Sequence, residues 1–308
     1  MADNEDEWFS LRPQEPLPIQ CCGSGCKPCV FDIYERELRQ WEQAKAKGDQ
    51  SLLIQSNESK QDDLRLIGTE KWSAFQIECV EQQTADTYLY RFQLPSGCCL
   101  GLTVGQHIVA RGIVNGLEVQ RAYTPVNPVD AEGYFEVLIK IYEDGLMSQY
   151  VKTWKEWDSV CWRGPFGGFP YKSNQYEQLL LFASGTGIAP MVPLLKYIVA
   201  NEEDETFVTL VGCFRTFQDI YMKSRLQELA AYWNVKTLFV LSQQASKQPQ
   251  QFETWRMLAG LGLHLLPDIK VNKDLFYVEG MQSKWRFFCQ IKMKSIQKEM
   301  LILCQNVL

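Results

Sequence analysis

Two glycines flank a threonine in Ser184-Gly185-Thr186-Gly187-Ile188-Ala189-Pro190, between an apolar run and a helical pattern. Lacking Cβ atoms there, the backbone can approach a pyrophosphate closely. The helix that follows presents free N–H groups and the positive end of its dipole. Pro190 suits a first helical turn, where its missing N–H would be unpaired anyway. The same residues equally serve an ordinary strand–helix turn that needs glycine at positive φ. A second group, Arg121-Ala122-Tyr123-Thr124-Pro125-Val126, closes an extended run. Its arginine can bind phosphate oxygens bidentately, its tyrosine can pack on a flat ring, and its threonine hydroxyl can reach a ring nitrogen. The plain alternative is an edge strand ended by proline. Lys140-Ile141-Tyr142, followed by Gly145-Leu146-Met147-Ser148, places a tight turn and a serine at a helix start, which makes a second anion-binding corner. Cys21, Cys22, Cys26 and Cys29 crowd into nine residues. Cys26-x-x-Cys29 with Cys22 can offer three thiolates to zinc, or a redox pair. A fourth ligand is unclear, since Cys21 adjoins Cys22 and the two histidines lie at 107 and 264. A thiol-containing docking segment ahead of a helix is the preferred reading, with no metal assigned.

The elements that must hold these groups follow from period and punctuation. Residues 1–20 are acidic and then proline-rich, an extended lead-in, and Val30–Lys47 has a helical period. Gly48–Asp63 is polar apart from Leu52–Ile54 and reads as a linker. Short alternating segments then predict six strands, at Ala74–Glu81, Thr87–Leu94, His107–Val114, Leu117–Tyr123, Tyr134–Tyr142 and Ser159–Arg163. Asn115-Gly116 between two of them is a hairpin signal, and the set suggests a small antiparallel barrel. Beyond residue 176 strands alternate with helices: strands at Gln178–Ala183, Phe207–Cys213, Val235–Ser242 and Leu275–Val278, helices at Ala189–Ala200 and Asp219–Trp233. That alternation implies a parallel sheet that binds ligands at the carboxyl ends of its strands. The fold class is therefore a β barrel followed by an α/β domain. The expected divisions are 1–63, 64–175 and 176–308, with Gly164-Pro165-Phe166-Gly167-Gly168 as the rigid loop between the last two.

Composition narrows the class of function. The chain has 308 residues, 46% hydrophobic and 22% charged, with a formal net charge of −6. It can bury a large core, and it lacks the basic field that draws nucleic acid or anionic lipid. Its longest apolar runs are about five residues against the ~20 needed to span a bilayer, so no integral membrane segment is expected. The acidic start has no apolar signal core. An intracellular, cytoplasmic protein is expected, any membrane association coming through a partner. The 11 cysteines are then reduced thiols by default.

Order and spacing carry more than any single motif. Gly105-Gln106-His107, Arg-x-Tyr-Thr-Pro, Lys-Ile-Tyr, Gly-x-Met-Ser, Gly-Pro-Phe-Gly and Gly-Thr-Gly-Ile-Ala-Pro follow one another from 105 to 190. Together they resemble the ferredoxin–NADP reductase-like flavoproteins, and most closely the NADH–cytochrome b5 reductases, over about residues 71–278. The resemblance implies an FAD barrel, a nicotinamide-nucleotide domain, and transfer of electrons from NADH through FAD to a haem protein such as cytochrome b5. It implies that Arg121 holds the FAD pyrophosphate, that Tyr123 flanks the isoalloxazine, that Ala122 is a further cofactor-binding residue, and that Thr124 bonds near the flavin N5. Gly145, Met147 and Ser148 would close over the FAD phosphates. Lys140 would assist NADH binding, and Gly185, Thr186, Gly187 and Pro190 would line the passage where nicotinamide meets flavin. Thr124 and Lys140 are the expected catalytic pair. Lys152, Lys155 and Lys172 are the candidate basic patch for an acidic acceptor. His107 reads as a buried histidine beside a barrel strand rather than a general base, and His264 has no visible role.

Two departures are legible. Leu146 stands where the family turn carries a basic residue, and Glu279 where a Cys-Gly is expected; neither Cys289 nor Cys304 restores that motif. They leave a second reading open, a catalytically weak flavoprotein-like binding protein. Arg215 could favour a 2′-phosphate, although the resemblance favours NADH. The segment Cys21–Cys29 with Val30-Phe31-x-x-Tyr34 resembles the short oxidoreductase-like N-terminal module.

Overall fold

The computed structural model describes residues 8–54, 66–241, 256–258, 289–295 and 298–306. Helix α1 spans Val30–Lys47 as its periodicity predicts, and Gly48 ends it in the left-handed conformation (φ 63°) with its N–H bonded back to Ala44 and Lys45. The lead-in is not wholly extended: Pro18–Gln20 forms a 3-10 turn. The expected linker contains a four-residue helix, α2 (Ser51–Ile54). Trp41 anchors this region by donating its indole N–H to the Trp8 carbonyl at 2.9 Å.

Six strands follow: β1 (Ser73–Thr84), β2 (Thr87–Gln93), β3 (Gln106–Val114), β4 (Leu117–Tyr123), β5 (Tyr134–Lys140) and β6 (Ser159–Gly167). They pair antiparallel in the order β4-β3-β6-β1-β2-β5. A bridge from Pro125 to Val137 brings the exit of β4 against β5, so the sheet curls into the expected barrel. Asn115 and Gly116 both take positive φ in the β3–β4 turn, as a two-residue hairpin of the right twist requires. Inside, Phe92 stacks on Phe135 at 4.9 Å and Trp162 meets both edge-on. Helix α3 (Leu146–Val151) packs Met147 and Val151 into the same core.

The second sheet is built on β7 (Gln178–Ser184), β8 (Phe207–Phe214) and β9 (Val235–Leu241), all parallel. Helices α4 (Met191–Ala200) and α5 (Lys223–Ala230) link them. Short β10 (Arg256–Leu258) extends the sheet beyond β9. On the other side of β7 lies β12 (Lys298–Asn306), parallel to it and in antiparallel partnership with β11 (Cys289–Ser295). The expected strand Leu275–Val278, along with His264 and Glu279, lies outside the described residues. The expected helix Asp219–Trp233 is shorter. Residues 217–219 make a 3-10 turn, Met222 is left-handed (φ 50°), and Ile220, Tyr221 and Met222 are buried ahead of α5. Likewise α4 starts two residues later than expected, after a 3-10 turn at Gly185–Ile188.

Strand β5 separates the two cores. Phe135, Val137 and Ile139 face the barrel interior, while Leu138 joins the core of the parallel sheet. Glu136, only 3% exposed, faces the same way as Leu138 and pairs with Arg91 (2.8 Å) and Arg225 of α5 (2.6 Å).

Candidate functional site

Strand β4 delivers the first group. Arg121 lies opposite Ala110, Ala122 opposite Val109 and Tyr123 opposite Ile108, so Arg121 and Tyr123 share one face of the strand. The Arg121 guanidinium donates to the carbonyls of Ile19 (3.2 Å), Cys21 (3.3 Å) and Gln120 (2.7 Å). All three acceptors are neutral, and among the described residues no carboxylate stands within ion-pair distance of it. Tyr123 meets Trp162 edge-on at 5.9 Å. Burial keeps its phenol well above the usual range, with the Arg121 charge pulling the other way. Thr124, half-buried, sits at the seam that the Pro125–Val137 bridge closes.

Lys140 ends β5 and is not a free cation. Its Nζ lies 3.1 Å from Asp86 in the turn between β1 and β2. The hydroxyls of Thr84 and Thr87 also donate to that carboxylate, each at 3.0 Å. Partial burial pushes the Asp86 carboxyl up, but the Lys140 ammonium and the two hydroxyls more than offset this and hold it below its ordinary value. Arg215, just past β8, reaches the same carboxylate at 3.6 Å and Asp219 at 3.1 Å. One aspartate thus joins a barrel lysine to an arginine of the parallel sheet. Asp86 was not a sequence candidate; the only local hint was its place between two threonines.

Tyr142, two residues beyond Lys140, connects the remaining pieces. Its ring lies 5.9 Å from the Lys140 ammonium. Its N–H donates to Ser148 Oγ at 3.0 Å. Burial raises the pKa of its phenol, and Thr186 of the glycine loop acts in the opposite direction. Tyr142 is 42% exposed. Sequence reasoning placed Tyr142 in a motif without making it a site residue. Ser148, read from sequence as a helix-start anion ligand, spends its hydroxyl on that Tyr142 amide, and both Met147 and Ser148 are buried. Gly145 is needed for space: a Cβ there would stand 2.9 Å from Ser148 Oγ.

Across the cleft, Gly185 is needed for conformation. Its φ is +54° and an added Cβ would meet nothing within 4 Å. Thr186 and Gly187 are buried, and Pro190 is the N-cap of α4. That ten-residue helix has no side-chain cap and no acidic residue in its first turn, so its leading N–H groups carry an uncompensated partial positive charge.

The expected site residues therefore gather in three groups. Arg121 and Tyr123 lie on β4, Lys140 joins Asp86 and Arg215, and Gly145, Ser148 and Thr186 surround Tyr142. Beside Asp86 a groove of about 480 Å³, walled by Tyr88, Tyr90, Ile141, Lys152 and Trp154, falls in the size range of small-molecule sites. Arg121 without a carboxylate partner, two further cations held in place by aspartates, flat aromatic walls and a glycine turn ahead of a helix are groups an anionic dinucleotide can use, so the residues fit such cofactors. Leu146 packs its side chain against the barrel core. Half-buried His107 contacts Ser24 Oγ at 3.2 Å through Nε2, and burial lowers its pKa. Lys152, Lys155 and Lys172 are all exposed. Among the described residues no helix is long and apolar enough to cross a membrane.

Comparison with known proteins assigns cofactor-binding domains to the two sheets. Residues 74–171 match the oxidoreductase FAD-binding domain, residues 181–283 the oxidoreductase NAD-binding domain, and residues 9–50 the N-terminal region of oxidoreductase-like proteins. The human protein named NADH-cytochrome b5 reductase-like is 55% identical over 273 residues, covering 87% of this chain and 85% of that one. Its mouse counterpart is 53% identical over 278 residues, covering 87% and 88%. Among solved structures, the cytochrome b5 reductase domain of Ulva prolifera nitrate reductase superposes with a TM-score of 0.55 at 27% identity, over 60% of this chain and 78% of that one. The CS-b5R domains of human Ncb5or in the NAD+ form give 0.52 at 31% identity, over 58% and 54%.

Proposed function

Because the chain belongs to the NADH–cytochrome b5 reductase-like family of FAD- and NAD-binding oxidoreductases, we propose that it passes electrons from NADH through FAD to a one-electron haem-protein acceptor such as cytochrome b5. The observation that carries this reading is the Asp86 carboxylate, which holds Lys140 of the barrel (3.1 Å) and Arg215 of the parallel sheet (3.6 Å) at one point between the two units. When bound, the flavin supplies hydride acceptance and one-electron release.

The chain's own residues bind, orient and exclude water. Arg121 neutralises pyrophosphate charge. Tyr123, its phenol kept protonated by burial, offers a flat neutral wall, and Thr124 a hydroxyl at a ring nitrogen. Gly145 and Ser148 hold Tyr142 in place, with Met147 filling the core beneath. Lys140, braced by Asp86, presents a positioned cation to the nucleotide. Gly185, Thr186, Gly187 and Pro190 let the backbone come close enough to align two rings. Arg215 is already shared by Asp86 and Asp219. A 2′-phosphate there would meet two carboxylates, which favours NADH over NADPH. Residues 64–175 serve in this reading as the flavin unit and 176–308 as the nucleotide unit. Lys152 and Lys155, near the groove, suit an acidic acceptor.

Leu146 favours a second reading, a flavoprotein scaffold with weak turnover, because its side chain gives a phosphate nothing to bind. A visible spectrum before and after anaerobic NADH separates the two. Bleaching of the flavin bands is expected for a working reductase. Bands that persist would sink that reading in favour of the second.

A further inference from the structure

Outside the cofactor cleft, the four clustered cysteines form two sulfur pairs. Cys22 and Cys26 have their Sγ atoms 3.3 Å apart, and Cys21 and Cys29 3.5 Å apart. Among the described residues no group of three or more His, Cys, Asp or Glu side chains is arranged to hold a metal ion, so the zinc reading of the spacing is not assembled. The two members of the first pair differ. Cys22 is half-buried and reachable, whereas Cys26 is 4% exposed and packs with Val109 and Phe166. Gly23 and Gly25, at φ +70° and +71° with open space beside them, reverse the chain so that Cys26 returns to Cys22. Ser24, between them, contacts Cys22 Sγ at 3.0 Å and His107 at 3.2 Å.

Beneath the loop lies Arg163, 1% exposed. It donates to Pro28 O (3.1 Å), Thr69 O (3.3 Å) and Gln120 Oε1 (2.9 Å), and its charge lies over the rings of Trp72 and Phe166. Its Nε has no hydrogen-bond partner, and no carboxylate among the described residues pairs with it. A buried cation surrounded by neutral groups favours an anion nearby. Its charge acts on Cys22. The hydrogen bond between Cys22 and Cys26 outweighs burial and, with Ser24 and Arg163, draws the Cys22 thiol down to about 5. The same hydrogen bond and burial push Cys26 far up. This is the division of labour that thiol exchange requires, a reachable thiolate backed by a protonated, buried second thiol.

We propose that Cys22 and Cys26 form a thiol–disulfide exchange site, with Cys22 attacking a small-molecule disulfide and Cys26 resolving the product. The Cys22 thiolate attacks one sulfur of RS–SR, forms Cys22–S–SR and expels RS⁻. That thiolate takes the Cys26 proton and leaves as RSH. Cys26 sulfur then attacks Cys22 Sγ, breaks the bond to SR and releases the second RS⁻. The two cysteines are oxidised by two electrons and the external disulfide is reduced to two thiols. The sulfurs have to close from 3.3 Å to about 2.05 Å, which the two glycines permit.

The test treats the full-length protein with glutathione disulfide, blocks the remaining thiols and maps the products by mass spectrometry. A Cys22–Cys26 link is expected in the native protein and in the Cys21→Ser/Cys29→Ser double variant. Cys26→Ser should instead accumulate a glutathione adduct on Cys22. Cys22→Ser should form adducts in the loop about tenfold more slowly, as an ordinary thiol would. Circular dichroism identical to the native protein's confirms that each variant folds. First attack at another loop cysteine, or no link in the double variant, would overturn the assignment. So would a stoichiometric metal in the purified protein that is lost from the Cys22→Ser variant.

Discussion

The charge of Arg121 sits among the carbonyl oxygens of Ile19, Cys21 and Gln120, and none of these cancels it. A charge-assisted contact to phosphate is worth about 1.5–3 kcal/mol. Arg121→Ala should therefore weaken FAD binding roughly 10- to 100-fold and, since the same guanidinium bonds Ile19 and Cys21, also loosen the N-terminal segment of the apoprotein. Flavin content after gel filtration reads this out, and undiminished flavin would remove Arg121 from the site. Cys22 gives a second residue-level expectation. It faces Cys26, Ser24, Arg163 and, through Ser24, His107. With its thiol drawn down to about 5, alkylation at Cys22 should reach a plateau by about pH 6–7, whereas an unperturbed thiol keeps accelerating towards pH 9. A profile at Cys22 that keeps rising to about pH 9 would contradict the picture. Arg121 and Tyr123 could be proposed from sequence because their motif is contiguous. Asp86 and Tyr142 could not, because their roles arise only when residues 86, 140, 186 and 215 are brought together.

At the level of elements, local signals worked where local chemistry decides. Helix α1 has its predicted limits because its period is strong and Gly48 caps it. The β3–β4 hairpin follows from Asn115-Gly116, and β4 ends where Pro125 removes a donor. The helix after β8 was misread for the converse reason. Its amphipathic pattern continues back to Asp219, but Ile220, Tyr221 and Met222 are recruited into the core, and the left-handed Met222 delays the helix start to Lys223. The place beside β7 is taken by β12, a pairing across more than a hundred residues that no short-range pattern reveals. Two turns carry predictions. Gly185→Ala forces a side chain into a left-handed backbone and should cost about 1 kcal/mol. Because the turn positions Thr186, KM for NADH should rise more than thermal stability falls. Asp86→Asn frees Arg215 from one of its two carboxylates, so the NADH-to-NADPH ratio of kcat/KM should fall; an unchanged ratio would detach Arg215 from nucleotide choice.

For the molecule as a whole, the join between the sheets centres on Glu136. Burial pushes its carboxyl up, but Arg225 and Arg91 more than compensate, and it lies below its ordinary value. A depressed carboxylate contributes stability that is full above its unfolded pKa and is lost as pH falls through the lower folded value. Glu136→Gln should therefore destabilise the protein by about 1–3 kcal/mol at neutral pH, and by progressively less as the medium is acidified below about pH 4. Denaturant titrations at several pH values measure this, and a constant difference would show that the carboxylate titrates normally. The attachment of the N-terminal segment obeys a different logic. Arg121 and Arg163 hold it through the main-chain oxygens of Ile19, Cys21 and Pro28, and a carbonyl is offered by every amino acid. Such a grip is blind to side-chain identity, so apart from the cysteines that also pack on Val109 and Phe166, the loop could drift in sequence and remain seated.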